Sequence, residues 1–552
     1  MRLRKITEKV TINVVAGTSS VLFSIDMKQD DTAHLLGFYI RKENKKKPQE
    51  AYDISSIKHF RDASSSPDGR YNTKFHPWQS FLWEDYYISI DGEYCYFFTP
   101  VYGQPGNLIY GEQIEIAVDI SKATDTTHEL HFNRGVAGSQ AYAREFGNHR
   151  PDEMPPDEKE RALAWLSKGL KEAMIAFIGQ ATGAGRGLRC CFYEFIYPEV
   201  LAALKAAHES GADVKIIYDS RHEKTKNDKA IDTAVLPRNI MIRRSADPDF
   251  LQHNKYMVML EDGNPVSVST GSTNITEKAI FGHCNTLHIV RDKHIAENYL
   301  RHWEGLEKDP VNDAARANTM AIQDDLKTVP IGMSTLFSPR PATKILKLYS
   351  QLIKDAQQLV CGMFPFSFNK GIKDAITANT EHLKYVIIDK KTKNTTLVTN
   401  DIDNVIVYGG SYNESLYGWA LETDSGELFY NGVNFIHNKV ILIDPLSDDP
   451  IVITGSANFS NNSILNNDEN TIVVRGNHNV ADLYFTEFAR IFNHYSSRQD
   501  TIKLKPQNTV NNYDPSVLET NPAKWTASFY NPNGLKCKRR NMFSLMTATL
   551  IP

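Results

Sequence analysis

The sequence predicts an α/β protein made of two similar halves, preceded by an all-β domain. Two observations predict the halves: strand and helix patterns alternate from residue 157 to residue 500, and one short motif occurs twice. A third predicts the β domain, because the first 130 residues consist of short apolar or alternating runs separated by turn residues. A chain of 552 residues is also too long for one ordinary core, which favours several domains.

Residues 1–130 predict a β-sandwich. Runs such as VTINVV, SVLFSID and YCYFFTPVY have the apolar or alternating pattern of sandwich strands. The run GEYCYFFTPVYG resembles a strand of fibronectin type III-like sandwiches, and this likeness makes Tyr94 a candidate corner tyrosine. No catalytic signature falls in this region, so we expect a binding or spacer module. Residues 131–156, rich in proline at their end, are expected to form a linker.

Residues 157–330 and 331–500 predict two lobes with the same order of elements. In the first, RCCFYEF and VKIIYD predict strands on either side of the helix PEVLAALKAAHESG. In the second, QLVCGMF and LKYVIID flank the helix NKGIKDAITANT. Such alternation predicts mixed, mainly parallel sheets flanked by helices. A pseudo-twofold relation between the lobes would bring their motifs together.

The repeated motif contains the residues that predict chemistry. Each residue of the second copy stands 184 positions after its counterpart (437 minus 253). The first copy consists of His253, Lys255, Ser272 and Asn274, and the second of His437, Lys439, Ser456 and Asn458. Imidazole, ammonium, hydroxyl and amide groups at the ends of two hairpins suit an oxyanion, most simply a phosphate. Two histidines can supply a nucleophile and a proton donor, and two lysines can balance transition-state charge.

These motifs resemble the signature of the phospholipase D superfamily, H-x-K-x4-D followed by G-S-x-N in each of two halves. The resemblance covers residues 155 to 500 and implies a metal-independent phosphodiesterase with a covalent phosphohistidine intermediate. The second copy has the aspartate of the pattern, Asp444, which the resemblance makes a supporting residue. The first copy departs from the pattern, because Leu260 stands at that position.

The resemblance also implies a partner for each histidine. In the superfamily, an acidic residue downstream of each G-S-x-N orients the histidine of the opposite half, and the matching positions here are Glu469 and Asn285. A carboxylate partner raises imidazole basicity and fixes the tautomer. We therefore expect His253 to be the nucleophile, oriented by Glu469, and His437 to be the leaving-group acid.

Composition restricts the classes of protein and of binding site that remain possible. The net charge of −4 gives no global preference for a polyanion, so any such surface must be local. The six cysteines are scattered without a C-x2-C pair, so we expect neither a zinc site nor disulfides. We also expect no other metal and no cofactor. The absence of a signal peptide or an 18-residue apolar run predicts a cytoplasmic protein without a transmembrane segment. Both motifs lie in one chain, so an oligomer is not required.

The last segment, residues 501–552, is expected to be a basic and aromatic tail. It contains a cluster of cations, Lys536, Lys538, Arg539 and Arg540, among aromatic residues. Such a cluster is either a solvated face or a strip that holds a phosphate-rich substrate.

Three functions remain open at this stage. A nuclease acting on DNA or RNA is favoured by the tail and by the missing export signal. A phospholipase acting on membrane phospholipids is the alternative, since a basic cluster also suits anionic lipid. The third is a non-catalytic phosphate- or nucleic-acid-binding protein, against which the two complete H-x-K sets argue.

Overall fold

The N-terminal domain is a β-sandwich in the computed structural model of the protein. The structure describes residues 1–551 apart from 65, 68, 124, 136–141, 143–144, 148, 247–250, 410–435, 504–513 and 515, and apart from the side chains of 498–503. The strands of the domain are β1 (Arg2–Ile6), β2 (Val10–Ala16), β3 (Val21–Met27), β4 (Leu35–Asn44), β5 (Tyr52–Asp53), β6 (Ser55–Ser56), β7 (Tyr71–Asn72), β8 (Leu82–Asp85), β9 (Glu93–Gln104), β10 (Asn107–Tyr110) and β11 (Ile114–Asp119).

One sheet of the sandwich contains β1, β2, β3 and β8 in that order, and the other contains β10, β9, β4 and β5, with β11 also on β9. Val14 and Phe23 from the first sheet share a core with Ile40 and Phe98 from the second. The hydroxyl of Tyr94 accepts a hydrogen bond of 2.8 Å from the Ser89 backbone N–H, five residues upstream. This is the contact of a tyrosine corner.

The first lobe is a seven-stranded mixed sheet flanked by helices. Its elements are β12 (His128–Phe132), α1 (Pro156–Ser167), α2 (Leu170–Gly179), β13 (Arg186–Phe192), α3 (Pro198–Glu209), β14 (Asp213–Asp219), α4 (Lys224–Ala234), β15 (Met241–Arg244), β16 (Lys255–Glu261), β17 (Asn264–Gly271), β18 (Thr286–Val290), α5 (Lys293–Glu307) and α6 (Asn312–Ile322). The strand order is β12-β18-β17-β16-β13-β14-β15.

The second lobe repeats the first, strand for strand. Its elements are β19 (Gly332–Ser338), α7 (Lys344–Asp355), β20 (Leu359–Phe364), α8 (Lys370–Thr377), β21 (Leu383–Ile388), β22 (Asn404–Tyr408), β23 (Val440–Ile443), β24 (Ile451–Gly455), α9 (Asn461–Leu465), β25 (Glu469–Arg475) and α10 (His478–Lys503). The order β19-β25-β24-β23-β20-β21-β22 matches that of the first lobe at every position. The predicted pair of pseudo-twofold-related lobes behind a β domain is therefore present.

The expectation of mainly parallel sheets is wrong. In each lobe only three adjacent strands run parallel, β13-β14-β15 and β20-β21-β22. Helices join all of these consecutive strands except β21 and β22, which are joined by residues 389–403 without a helix. The strands that follow each motif histidine form an antiparallel meander, β16-β17-β18 and β23-β24-β25. A short hairpin turn between consecutive strands permits only the antiparallel arrangement.

The boundary expected at residue 130 falls inside β12, which pairs with β18 and completes the first lobe as β19 completes the second. The sequence HELHF alternates like any half-buried strand, so its own pattern could not assign it to a domain. The helix expected over residues 157–178 is interrupted between α1 and α2, where Lys168 and Gly169 have positive φ.

The C-terminal segment returns to the sandwich and is not a separate tail. Helices α11 (Pro522–Tyr530) and α12 (Leu535–Ser544) precede β26 (Thr549–Ile551), which pairs parallel with β1. Trp525 and Phe529 lie in the sandwich core. These aromatic side chains are therefore structural, since they bury apolar area that the two sheets alone leave open.

The lobes pack on each other through one continuous core. Tyr256 and Tyr299 of the first lobe lie in the same apolar cluster as Val440 and Tyr484 of the second. Helix α10 lies at the junction, and its buried Asp482 forms an ion pair of 2.8 Å with Arg2 of the sandwich. The motif-bearing ends of the sheets are thereby held against each other.

The first prediction concerns the glycine of the second motif. A Cβ at Gly455 would lie 2.2 Å from the Asn470 carbonyl oxygen, and the residue has φ of +152°. We expect Gly455→Ala to lower the free energy of unfolding by about 2–4 kcal/mol, because both the contact and the backbone conformation exclude a side chain. Gly179→Ala is the control, since nothing lies within 4 Å of its Cβ position. Urea denaturation of both variants measures the effect, and equal stabilities would contradict it.

Candidate active site

The two motifs meet where the lobes touch, and the contacts are reciprocal. The backbone N–H of His253 donates to the Asp468 carbonyl of the second lobe at 3.0 Å. The backbone N–H of His437 donates to the Cys284 carbonyl of the first lobe at 3.2 Å. These four residues are related by the same 184-residue offset as the motifs. Each histidine is thus attached to the opposite lobe by its backbone.

The side chain of His253 is oriented by a carboxylate from the other lobe. Its Nδ1 lies 2.8 Å from Oε2 of Glu469, and Glu469 also accepts a hydrogen bond of 2.7 Å from the Ser456 hydroxyl. Both residues are buried, Glu469 completely. A carboxylate on Nδ1 keeps the proton there and leaves Nε2 as the basic nitrogen. Burial lowers the pKa of His253 to about 4, against the opposing effect of Glu469, so the imidazole is neutral at pH 7.

His437 has an amide partner in the equivalent place. Its Nδ1 lies 2.9 Å from Oδ1 of Asn285, which also accepts a hydrogen bond of 2.8 Å from the Ser272 hydroxyl. Burial lowers the pKa of His437 well below its usual value, and Lys439 adds to this effect. The two histidines therefore share a geometry but differ in the charge of the group behind them.

The motif lysines are buried beside the histidines. Lys255 donates to the carbonyl of His253, and Lys439 donates to the carbonyl of His437 at 2.6 Å. Burial lowers the pKa of Lys255 to about 7, although nearby carboxylates, including Glu469, oppose the shift. Burial also lowers the pKa of Lys439 well below its usual value, and the charge of Lys255 adds to this effect. An anion bound between them would restore both positive charges.

The motif asparagines have unpaired polar atoms. Asn274 donates from Nδ2 to Glu194, and its Oδ1 is buried with no hydrogen-bond partner among the described residues. Oδ1 of Asn458 is likewise buried and unpaired in that part of the chain. Buried polar atoms in folded proteins are normally hydrogen-bonded, so such atoms at a site are candidates for ligand contact.

Asp444 lies at the other end of β23 from Lys439. Its carboxylate accepts backbone hydrogen bonds from Gln357, Gln358 and Leu359 at 2.7–2.9 Å, and so holds the loop that enters β20. Leu260, at the equivalent place in the first lobe, is a buried core residue. The missing aspartate of the first motif therefore changes how a loop is anchored and leaves the histidine–lysine geometry intact.

Comparison with known proteins identifies the lobes. A family model described as "Cardiolipin synthase, PLD-like domain" matches residues 174–306 and 421–492, and the two segments contain the two motifs. The two matched segments are phospholipase D-like. This supports a phosphodiesterase-type enzyme and leaves the substrate undetermined. A search of curated protein sequences finds no match.

Solved structures of this superfamily also match. Nuc from Salmonella typhimurium is 27% identical over 25% of this chain and 87% of its own, with a TM-score of 0.22. Phosphatidylserine synthase from Haemophilus influenzae is 15% identical over 69% of this chain and 94% of its own, with a TM-score of 0.39. Yeast tyrosyl-DNA phosphodiesterase is 11% identical over 54% of this chain and 86% of its own, with a TM-score of 0.31.

The basic cluster of the C-terminal segment contacts the sandwich and the second lobe. Lys538 forms an ion pair with Asp403, and Arg539 donates to Asn493 at 3.2 Å. Arg540 is buried and lies 4.2 Å from the Tyr530 ring, while Lys536 lies 5.0 Å from the Phe529 ring. The physical reason is that α12, which carries all four cations, packs against β3 of the sandwich.

Sequence reasoning missed three rings beside the motif histidines. The ring of Tyr193 lies 5.0 Å from that of His253, and the ring of Phe366 lies 6.2 Å from that of His437. The ring of His283 lies 5.3 Å from that of His437, and both its nitrogens are buried without a partner among the described residues. The available signal was position: Tyr193 and Phe366 lie one and two residues after the ends of equivalent parallel strands, β13 and β20, where ligands of open α/β sheets bind.

Within the described ranges, no group of three or more His, Cys, Asp or Glu side chains is arranged to hold a metal ion. None of the helices in these ranges combines the length and the apolar character needed to span a bilayer.

The second prediction concerns the cost of burying the motif lysines. We expect Lys439→Met to raise the free energy of unfolding by about 1–3 kcal/mol while abolishing activity, because it removes a buried basic group that is desolvated and repelled by Lys255. Lys255→Met is the matched control, and its free energy of unfolding should rise less, since carboxylates around Lys255 offset its charge.

The stability gained by Lys439→Met depends on pH in a defined direction. The pKa of Lys439 is depressed in the folded protein, so the wild-type penalty is largest at low pH and shrinks as the pH rises toward the usual lysine value of 10.5. Thermal unfolding of both variants from pH 6 to pH 10 measures this. A less stable Lys439→Met protein would contradict the argument.

Proposed function

We propose that the protein hydrolyses phosphodiester bonds of nucleic acid through a phosphohistidine intermediate on His253. The observation that carries this proposal is the asymmetry of the histidines: Glu469 lies behind His253 and Asn285 lies behind His437. Both imidazoles are neutral in the free protein, so the one with the carboxylate is the better nucleophile. The two lysines and the motif amides supply positive charge and donors for the phosphoryl oxygens.

In the first step, Nε2 of His253 attacks phosphorus, and a P–N bond forms as the P–O bond to the leaving group breaks. The leaving oxygen takes a proton from Nε2 of His437. The negative charge of the bound phosphodiester, next to Lys439, raises the pKa of His437 from its low value in the free site and allows it to carry that proton. Glu469 stabilises the positive charge that develops on His253.

In the second step, water attacks the phosphohistidine. Neutral His437 accepts a proton from that water, the P–O bond forms, and the P–N bond to His253 breaks. The site returns to its starting protonation after the phosphate product leaves. The same residue is therefore acid in one step and base in the next, as microscopic reversibility requires.

Two features support nucleic acid as the substrate. Tyr193 and Phe366 place an aromatic face beside each histidine, and sequence-tolerant stacking of bases on such faces is usual in single-strand binding. The exposed Lys278 and Lys390 act electrostatically on His283 at the site, so positive charge surrounds it. A polymer with further phosphates on both sides of the scissile one would use that charge.

The third prediction identifies the substrate. The purified full chain should cleave single-stranded nucleic acid in excess EDTA and leave phosphatidylcholine vesicles intact, because the lysines stabilise the phosphate in place of a metal. Gel electrophoresis and choline release measure the two activities, with His253→Ala as the inactive control. Choline release without nucleic-acid cleavage would make the protein a phospholipase. Binding without any turnover would make it a binding protein.

The fourth prediction separates the histidines. With a p-nitrophenyl phosphodiester, which has a good leaving group, His437→Ala should accumulate phosphorylated His253, because no base activates water. His253→Ala should form no adduct, and Glu469→Gln should react at an intermediate rate because its amide weakens the orientation of the ring. Mass spectrometry of acid-labile phosphohistidine after rapid mixing measures the adduct. Phosphorylated His437 in the His253→Ala protein would reverse the assigned roles.

A further inference from the structure

A large cavity lies between the sandwich, both lobes and the C-terminal helices. Its volume is about 990 Å³, at the upper end of the range for small-molecule sites. Its lining comes from β8 and the loop after it, the α1–α2 junction, β21, α10 and α12. No histidine, lysine, serine or asparagine of the two motifs lines it. It is therefore a different site from the one described above.

One region of the cavity wall is strongly cationic. Arg134, Lys168 and Arg490 all line this region. The charge of Arg490 lowers the pKa of Arg134, and both arginines lower the pKa of Lys168. Arg134 lies 4.2 Å from the Trp165 ring, and Lys168 donates to the Ser19 carbonyl at 3.3 Å. Arg490 forms two hydrogen bonds, of 2.7 and 2.9 Å, to the buried carboxylate of Glu487. Three basic groups therefore converge, two guanidinium cations and a lysine whose pKa burial lowers, with one carboxylate engaged among them.

The carboxylates of the lining balance this charge only in part, because each has other partners, although Glu84 also acts on Arg490. Asp85 forms an ion pair of 2.7 Å with Lys42, and Asp53 accepts from Tyr39 and Asn72. Glu84 accepts from Ser20 and Asn493, and burial raises its pKa to about 7. A further cation, Arg539, has a buried Nε with no partner among the described residues. The cavity is thus short of negative charge.

Several aromatic side chains line the rest of the wall. Trp83, Tyr87 and Trp165 are among them, and the Tyr87 side chain is half exposed. Gln79 and Asn493 also line the cavity, and both are hydrogen-bonded within the protein. Anionic charge at one end and a planar, aromatic body at the other are the chemistry that this combination would recognise.

We propose that the cavity is a second, non-catalytic binding site for a nucleoside phosphate, with the phosphates on Arg134, Lys168 and Arg490 and the base against the aromatic wall. An anionic amphiphile is the competing ligand, because it would present the same negative charge to these three side chains. The nucleoside is favoured because Trp83, Tyr87 and Trp165 offer aromatic rings on which a base can stack and an alkyl chain cannot. The site does not depend on the substrate proposed for the motif histidines.

The test is calorimetric titration of the full-length protein with ADP, inorganic phosphate, adenosine and decyl phosphate. ADP should bind at least tenfold more tightly than the other three. Lys168→Met should weaken ADP binding at least tenfold. Lys255→Met, which removes a buried lysine from the motif site, should retain it. Tighter binding of decyl phosphate, or loss of ADP binding only in Lys255→Met, would overturn the proposal.

A measurement on the unmodified protein avoids any effect of substitution on folding. Burial lowers the pKa of Lys168 well below the usual lysine value, so its amine should react with acetic anhydride at neutral pH. Saturating ADP should slow acetylation of Lys168 at least fivefold, as measured by mass spectrometry, and leave the exposed Lys122 unchanged. An unchanged rate at Lys168 would refute the site.

Discussion

Each motif histidine depends on the half of the protein that does not contain it. The backbone of His253 is bound by the residue before Glu469, and its ring is bound by Glu469 itself. The same two contacts, backbone and ring, join His437 to Cys284 and Asn285. Neither lobe can complete its own site. The apolar core between the lobes and the position of α10 across the junction are therefore requirements of the site as well as of stability.

The site contains several buried charged groups, and their desolvation costs free energy. Lys255, Lys439 and Glu469 are buried with two imidazoles, and desolvation lowers the pKa of all four basic groups. In the free protein this keeps the histidines neutral, as a nucleophile must be. A bound phosphate supplies the missing negative charge, so the same burial that destabilises the empty site strengthens its attraction for an anion.

The sandwich and the C-terminal segment hold the lobes from one side. Arg2 reaches Asp482 of α10, and β26 adds to the sheet that begins with β1, so the two ends of the chain are joined. The residue that follows β12 also reaches the site, because Asn133 accepts a hydrogen bond of 2.9 Å from the backbone of Asn285 and donates to the His283 carbonyl at 2.7 Å. The loop that carries Asn285 is therefore positioned by the end of the first strand of the same lobe.

The sequence alone determined the duplication and its consequences. A constant offset between two sets of polar residues predicts one shared site, because a pseudo-twofold axis relates equivalent positions. The resemblance to the phospholipase D superfamily pointed to Glu469 and Asn285, and alternating strand and helix patterns predicted the lobes. Local pattern was sufficient for these features, since each depends on residues close in the chain or on an exact repeat.

Only the tertiary structure decided what depends on packing between distant segments. Whether β12 belongs to the sandwich or the lobe is set by its partner β18, about 160 residues away, and a strand pattern does not name its partner. The C-terminal cations have the composition of a substrate-binding strip, yet α12 packs them on the sandwich and on Asp403. Tyr193, Phe366 and His283 belong to no repeated motif, so only the fold could bring them beside the histidines.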